Sequence, residues 1–350
     1  LEAPLPKHIP WQLLQSIATI QLYLEDKWIE PIQPIKYPLS LLYHQTMSIL
    51  AATKEITPSV LAKKVFNLSS FQYISEEDYK LLLRYLVSID HINKTEEGKL
   101  ILGLAGEKIV KRFQFYAVFP ETVEFTVKQD STDIGTIVIV PKVGSQFGLA
   151  GKTWEVLDVD FAKKTIFVKQ VEGKAGIFWR GGTGTIHSKI LERMRRVLLE
   201  DKEYAYLQTN AKKRLQEARQ LALDFELDKR NIVKLQKGKC CIFPWMGTVA
   251  YNTLQRMLNN FCRESLEIKS LGGVNPYFMM LKLGKGKFEQ LETEILSLCE
   301  QRIVNEHLVA DAEAPEIQKY DKYIPHPLLT KAFASDYLNV EEVRQQISLW

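Results

Sequence analysis

The chain has 350 residues, of which 46% are hydrophobic, so we expect two or three domains with packed cores. Its 46 Lys and Arg residues are nearly balanced by 42 Asp and Glu residues, which leaves a net charge of only +4. Bulk charge therefore gives no reason to expect a polyanion partner, and any such site must come from local clusters of basic residues.

The cysteines and the hydropathy pattern limit the setting of the protein. None of the four cysteines has the paired spacing of a zinc site, so we expect reduced thiols, no metal and a cytoplasmic location. No uncharged apolar run is long enough to cross a bilayer, and we therefore expect no membrane partner.

The N-terminal segment, residues 1–37, is predicted to form a helix followed by an extended strap. Apolar residues recur at helical spacing as far as Trp28, and prolines then interrupt the helix. The start at Leu1, without an initiator Met, indicates a segment excised from a longer protein.

Residues 38–112 are predicted to form a winged-helix domain. Its first helix covers Leu41–Ala52 with Ser40 as the N-cap, its second begins after Thr57, and its third begins after Ser75. A short turn and strand, EEGKLILG, would complete a β-wing. Three helices closed by a small wing are a common nucleic-acid module.

Hydrophobic residues recur with period two in the middle of the chain. The segments VEFTVKQ, IGTIVIV, TWEVLDVD and KTIFVKQVE each predict a short strand, and Gly or Asp separates them. Several consecutive short strands favour a small antiparallel barrel or sandwich, and we place a small β-barrel at residues 113–185.

The last part of the chain is predicted to return to mixed structure. Residues 186–235 show helical periodicity and are predicted to form a helical connector. Residues 236–305 show the order strand, helix, strand, strand, helix, which resembles a split β-α-β unit, and residues 306–350 form a helical tail. The predicted fold class is therefore α+β and multidomain.

One short sequence superficially resembles the end of a nucleotide-binding loop. Gly151-Lys152-Thr153 would need a glycine at the position of Gln146, and a helix would have to follow Thr153. The continuation WEVLDVD predicts a strand instead. The six histidines also lack any H-x-x-x-H or H-E-x-x-H spacing, so we expect no catalytic residue and no bound cofactor in this chain.

The segment IFWRGGTG places a large aromatic, Trp179, next to Arg180 and before flexible glycines. An exposed aromatic beside a cation suits stacking on an unpaired base with a phosphate contact next to it. A core tryptophan on a barrel strand fits the same residues equally well.

Two groups of basic residues are candidates for phosphate contacts. Helical spacing places Lys189, Arg193 and Arg196 on one face of a helix, and Lys63 and Lys64 lie together on the second helix of the winged helix. A solvated helix face explains either group as well.

Taken together, several stretches resemble the region that follows the two RecA-like motor domains in the Lhr-like (large helicase-related) branch of superfamily 2 DEAD/DEAH-box helicases. The likeness is collinear from about Pro31 to the C-terminus. The stretches that carry it are PLSLLYHQTMSIL, ISEEDYKLLLRYLVSIDHI, GEKIVKRFQFYAVF, FGLAGKTWEVLDVD, FWRGGTG and DKYIPHPLLTKAFASDYLNVEEV.

This resemblance implies a function for individual residues. In that family the winged helix and the following barrel-bearing domain form part of a channel for one DNA strand. The family's tryptophan in a W-x-G motif falls on Trp179, beside Arg180. The resemblance therefore favours a stacking role for Trp179 over a place in the core. Ile109 is a second candidate, for an apolar contact that separates or guides strands. ATP and Mg²⁺ are expected only in the motor domains, which this chain lacks.

The leading hypothesis is therefore a nucleic-acid-binding accessory region of a DNA helicase or translocase. Its expected partners are single-stranded or partly duplex DNA, with RNA left open, and the helicase motor domains in cis. A protein-interaction platform is the alternative, and it rests on apolar residues around Trp245 and the segment Tyr277–Met280.

Overall fold

The computed structural model describes residues 5–119, 125–130, 132–137, 140, 143–149, 152–161, 163–171, 184–310, 313 and 315–350. The chain divides into two compact units, the first made of Leu1–Val118 with Thr185–Trp350 and the second of Phe119–Gly184. Helices and separate sheets are mixed along the chain, so the predicted multidomain α+β class is confirmed. None of the described helices is both long and apolar enough to span a membrane.

The first unit begins with a long helix and a winged helix. After α1, the order α2-β1-α3-α4-β2-β3 and the antiparallel sheet β1-β3-β2 are those of a winged helix, and α5 follows directly. The sequence predicted its three helices and one wing strand, whereas β1 and β2 were not predicted. The bounds are α1 Trp11–Asp26, α2 Leu39–Thr53, β1 Glu55–Ile56, α3 Pro58–Phe66, α4 Glu76–Ser88, β2 Ile92–Lys94, β3 Leu100–Leu102 and α5 Leu104–Val110.

Two predicted N-caps have different outcomes. The hydroxyl of Ser75 accepts a hydrogen bond from the Asp78 N–H at 3.1 Å, which confirms it as the cap of α4. Ser40 was predicted to cap α2, but it lies inside that helix, which starts at Leu39. Its hydroxyl instead accepts the N–H of Tyr320 from 280 residues further along the chain. Spacing alone could not anticipate this long-range partner.

The second unit contains one sheet of five strands in the order β5-β4-β8-β7-β6. The pair β4·β8 is parallel, and within the described residues β5 and β6 do not pair with each other. The predicted closed antiparallel barrel is therefore replaced by an open mixed sheet, because hydrophobic alternation locates strands without specifying their partners. The bounds are β4 Phe125–Gln129, β5 Thr132–Ile137, β6 Gln146–Leu149, β7 Lys152–Asp160 and β8 Thr165–Val171.

The chain returns to the first unit with α6 (Ser188–Leu199) and α7 (Thr209–Asp224), which pack with α1 around one hydrophobic core. A charged cluster lies at the edge of this core. The guanidinium of Arg193 donates to both carboxylate oxygens of Glu25, at 2.9 and 3.0 Å, and to Glu200 at 3.0 Å. Lys202 also donates to Glu25, at 2.8 Å.

The C-terminal sheet has the order β11-β12-β10-β9, with every neighbouring pair antiparallel. Because β12 lies between β10 and β11, those two strands run in the same direction, as in the predicted split β-α-β unit. The short strand β9 was not predicted. The bounds are β9 Ile232–Lys234, β10 Lys239–Ile242, α8 Thr248–Phe261, β11 Ser270–Val274, β12 Phe278–Lys282 and α9 Phe288–Glu300.

The C-terminal tail contains α10 (His326–Tyr337) and α11 (Val340–Ile347). Side chains of α11 join the core of the C-terminal sheet, whereas the start of α10 joins the core of the winged helix. At the other end of α10, the carboxylate of Asp336 accepts the N–H groups of Lys36 and Tyr37 at 3.0 and 2.9 Å. The tail therefore packs on both the winged helix and the C-terminal sheet.

The charged cluster predicts a pH dependence of stability. Hydrogen bonds from Arg193 and Lys202 lower the pKa of Glu25 to about 2. A carboxyl group whose pKa is lower in the folded state stabilises the fold above its unfolded pKa of about 4.3, and this contribution is lost as the pH falls towards 2.

We therefore expect Glu25→Gln to flatten the fall in the free energy of unfolding between about pH 5 and pH 2, measured by urea unfolding at each pH. Glu30→Gln is the matched control, since Glu30 is exposed and has no ion pair among the residues that the structure describes. A pH profile of Glu25→Gln that parallels the wild type would contradict this role.

Candidate nucleic-acid interface

The predicted loop residues cannot be placed. Trp179 and Arg180 both lie outside the described residues, so their stacking and phosphate-binding roles stay predictions. The structure does place the other candidates, which are Lys63, Lys64, Ile109, Lys189, Arg193 and Arg196.

Lys63 and Lys64 are exposed in the last turn of α3, while Leu61 and Val65 turn inward to the winged-helix core. Within the described ranges, neither lysine has an ion pair. Their position at the C-terminal end of a helix also suits the helix dipole, which contributes roughly 0.3–1 kcal/mol for each cation. Two unneutralised charges here form a cationic corner on the winged helix.

The next helix along the chain, α4, has the opposite character. Its first turn carries Glu76, Glu77 and Asp78, and the ammonium of Lys80 lies 2.8 Å from Glu77. In a helix-turn-helix pair, the N-terminal residues of the second helix usually contact base edges in the major groove. Carboxylates at that position would be repelled by the negatively charged phosphates that line the groove. The arrangement therefore does not favour sequence recognition of duplex DNA by α4.

The predicted basic stripe on α6 does not exist as an exposed surface. Arg193 is only 1% exposed, and its guanidinium is held by the two carboxylates described above, so its predicted role as a phosphate contact is wrong. Lys189 forms an ion pair with Asp26 at 3.0 Å and lies over the ring of Trp28. Arg196 is exposed. Helical spacing correctly placed the three residues on one face of α6. It could not show that part of this face packs against α1 and is not in solvent.

Ile109 lies on α5, half-buried against the core of the winged helix. This packing gives it a structural role that accounts for its apolar character. Its predicted contact with nucleic-acid strands is not tested by its position.

The sequence reasoning missed a pair of aromatic residues just after α5. A 3-10 turn spans Phe113–Tyr116, and it leaves Phe113 88% exposed and Tyr116 69% exposed while burying Phe115. The segment KRFQFY carried the only available signal, since two basic residues precede three aromatics. Periodicity could not show which of the rings would face solvent.

The backbone of this turn is fixed by the C-terminal tail. The hydroxyl of Tyr320 donates to the carbonyl oxygen of Phe115 at 2.7 Å, and the ammonium of Lys319 donates to the carbonyl oxygens of Gln114 and Ala117. The ring of Phe115 lies against His44, with the centroids 4.5 Å apart. Burial lowers the pKa of His44, which favours the uncharged ring in this packing.

Of the glycine, lysine and threonine that resemble a nucleotide-binding loop, Gly151 lies outside the described residues. Lys152 and Thr153 begin the strand β7 and not a helix, as the sequence indicated. Such a strand supplies no helix N-terminus for phosphate. In the part of the chain that the structure describes, no group of three or more His, Cys, Asp or Glu side chains could hold a metal ion.

Comparisons with known proteins give one likeness. No protein-family model and no curated protein matches the chain. Among solved structures, it is similar to the helicase Lhr of Mycobacterium smegmatis bound to ssDNA and AMP-PNP, with a TM-score of 0.50 and 12% identity. The match covers 96% of this chain and 48% of that chain, so this chain spans about half the length of the solved helicase. At this identity the likeness shows a shared fold.

The different placements of Arg193 and Arg196 on α6 predict different effects of substitution. Arg193→Met leaves Glu25 and Glu200 without their shared guanidinium, and we expect a loss of about 3 kcal/mol of unfolding free energy, as is typical when one partner of a buried ion pair is removed. Arg196→Met, on the exposed side of the same helix, should change the unfolding free energy by less than about 0.5 kcal/mol. Denaturant unfolding followed by circular dichroism measures both, and equal stabilities would show that Arg193 is not structural.

Proposed function

We propose that this chain is a nucleic-acid-binding accessory region of an ATP-dependent superfamily 2 DNA helicase or translocase. In this role it guides single-stranded or partly duplex DNA and works with motor domains in cis. ATP and Mg²⁺ belong to those motor domains, and the chain itself hydrolyses no nucleotide. RNA offers the same phosphates and bases and is separated from DNA by the binding measurements below.

The observation that carries this proposal is the cationic corner of the winged helix, Lys63 and Lys64. It is followed by α4, whose first turn is acidic, so the domain is better suited to contacts with a phosphate backbone than to sequence reading in a major groove. The fold supports the same function, since the similar structure is that of a helicase bound to ssDNA.

The alternative of a protein-interaction platform loses its original support. Trp245 is 3% exposed, Phe278 is 6% exposed, and Met246 and Met279 are fully buried. Tyr277 stacks on Trp11 with the ring centroids 5.2 Å apart. These side chains pack in or against hydrophobic cores of the first unit, and Tyr277 is partly exposed.

The proposal predicts salt-sensitive binding that depends on Trp179. Fluorescence anisotropy with labelled single-stranded DNA and RNA should show binding at low salt that weakens steeply as salt is added. Trp179→Ala should cost roughly 1–3 kcal/mol if its ring stacks on a base. Equal affinities of the two proteins would remove the stacking role of Trp179, and no binding of either nucleic acid at low salt would remove the proposed function itself.

A second prediction concerns the cationic corner. Because each phosphate contact on a single strand contributes about 0.7 to the slope of log K against log salt, Lys63→Gln with Lys64→Gln should reduce that slope by up to about 1.4. Lys229→Gln is the matched control, since Lys229 is also exposed but is paired with Glu226 at 3.3 Å. The same slope in the double variant and the wild type would exclude phosphate contacts at this corner.

A further inference from the structure

The turn Phe113–Tyr116 displays two aromatic rings in a way that core packing does not explain. Burying such a ring would ordinarily stabilise the fold, yet Phe113 and Tyr116 both face solvent while Phe115 between them is 2% exposed. Residues three apart in a 3-10 helix share a face and are separated by roughly 6 Å along its axis. The two rings therefore project from the same side of the turn.

The turn is also held in place before any ligand binds. Three hydrogen bonds from Lys319 and Tyr320 fix the carbonyl oxygens of Gln114, Phe115 and Ala117. The buried ring of Phe115 also fixes the turn, because it packs against His44 and Tyr320. A surface ordered in this way loses little conformational entropy when it binds a partner.

The residues that precede the turn in the sequence are mainly basic. Lys108, Lys111 and Arg112 are all exposed, and they lie in the sequence just before Phe113. Lys111 is paired with Glu107 at 2.6 Å, but both side chains are largely solvated, so this pair neutralises little. Among the described residues, Lys108 and Arg112 have no ion pair.

We propose that Phe113 and Tyr116 stack on unpaired bases of a single nucleic-acid strand, while Lys108 and Arg112 contact its phosphates. This inference rests on the proposed function and adds a second stacking site, distinct in sequence from Trp179. Aromatic faces beside cations are the usual means of holding a single strand without reading its sequence. Bases in a duplex are already stacked on each other, so the rings select the unpaired strand.

The test separates base stacking from phosphate contact. An oligothymidylate of about 12 nucleotides is compared with an oligomer of the same length made of abasic sites, which has the same charge and no bases. The full chain should bind the thymidylate more tightly. The double variant Phe113→Ala with Tyr116→Ala should lose at least about fivefold in affinity for the thymidylate and little for the abasic strand.

Two further variants complete the design. Lys108→Gln with Arg112→Gln should weaken binding of both strands and reduce the salt dependence. Tyr73→Ala, which removes another exposed aromatic of the winged helix, should change neither affinity. Each replaced side chain is exposed, and Tyr116 also contacts the buried ring of Phe115, with the centroids 5.7 Å apart. Thermal unfolding of each variant therefore serves as the control, and we expect only small changes.

The outcomes distinguish this inference from the proposed function. If the wild type binds the thymidylate but the aromatic double variant binds it equally well, the rings do not stack on bases and the inference is overturned, while the proposed function stands. An equal loss on both strands also overturns it, because the rings would then act without bases. If the wild type binds neither strand at low salt, the proposed function fails as well.

Discussion

The hydrogen bond from the hydroxyl of Tyr320 to the carbonyl oxygen of Phe115 joins parts of the chain that are 205 residues apart. It belongs to a set of contacts by which the C-terminal tail fixes the winged helix. Ser40 accepts the N–H of Tyr320, and Lys331 forms an ion pair with Asp78 at 2.7 Å. Closing so long a segment costs entropy that only a cooperative set of contacts can offset. The winged helix therefore depends on the tail for its place in the first unit.

The proposed binding surface also depends on the C-terminal tail. The same tail residues that fix the winged helix also hold the turn that displays Phe113 and Tyr116. Order in the turn is thus supplied by residues far along the chain and not by the short 3-10 helix itself, whose hydrogen bonds are few. The tail residues Lys319 and Tyr320 hold the turn in place, because their side chains donate hydrogen bonds to its backbone.

Much of the secondary structure could be predicted because its causes are local. The three helices of the winged helix follow from periodicity and caps, and Ser75 caps α4 through a residue three positions away. Predictions failed where the deciding partner is distant in sequence. Ser40 bonds to Tyr320, Arg193 turns towards Glu25 on α1, and β4 pairs in parallel with β8. None of these partners can be identified from spacing.

The candidate site also combines features that are local in the sequence with features that depend on distant residues. A cluster of basic and aromatic residues is visible in KRFQFY, but its meaning depends on which side chains remain in solvent, and that is decided by what Tyr320 and His44 bury. Conversely, Arg193 had the right charge and the right helical spacing and is used to stabilise the fold. Charge and aromatic character therefore identify candidate residues for a binding surface, and long-range packing determines which of them remain exposed. On that basis Phe113 and Tyr116 are stronger candidates for contact with a single strand than the residues of α6.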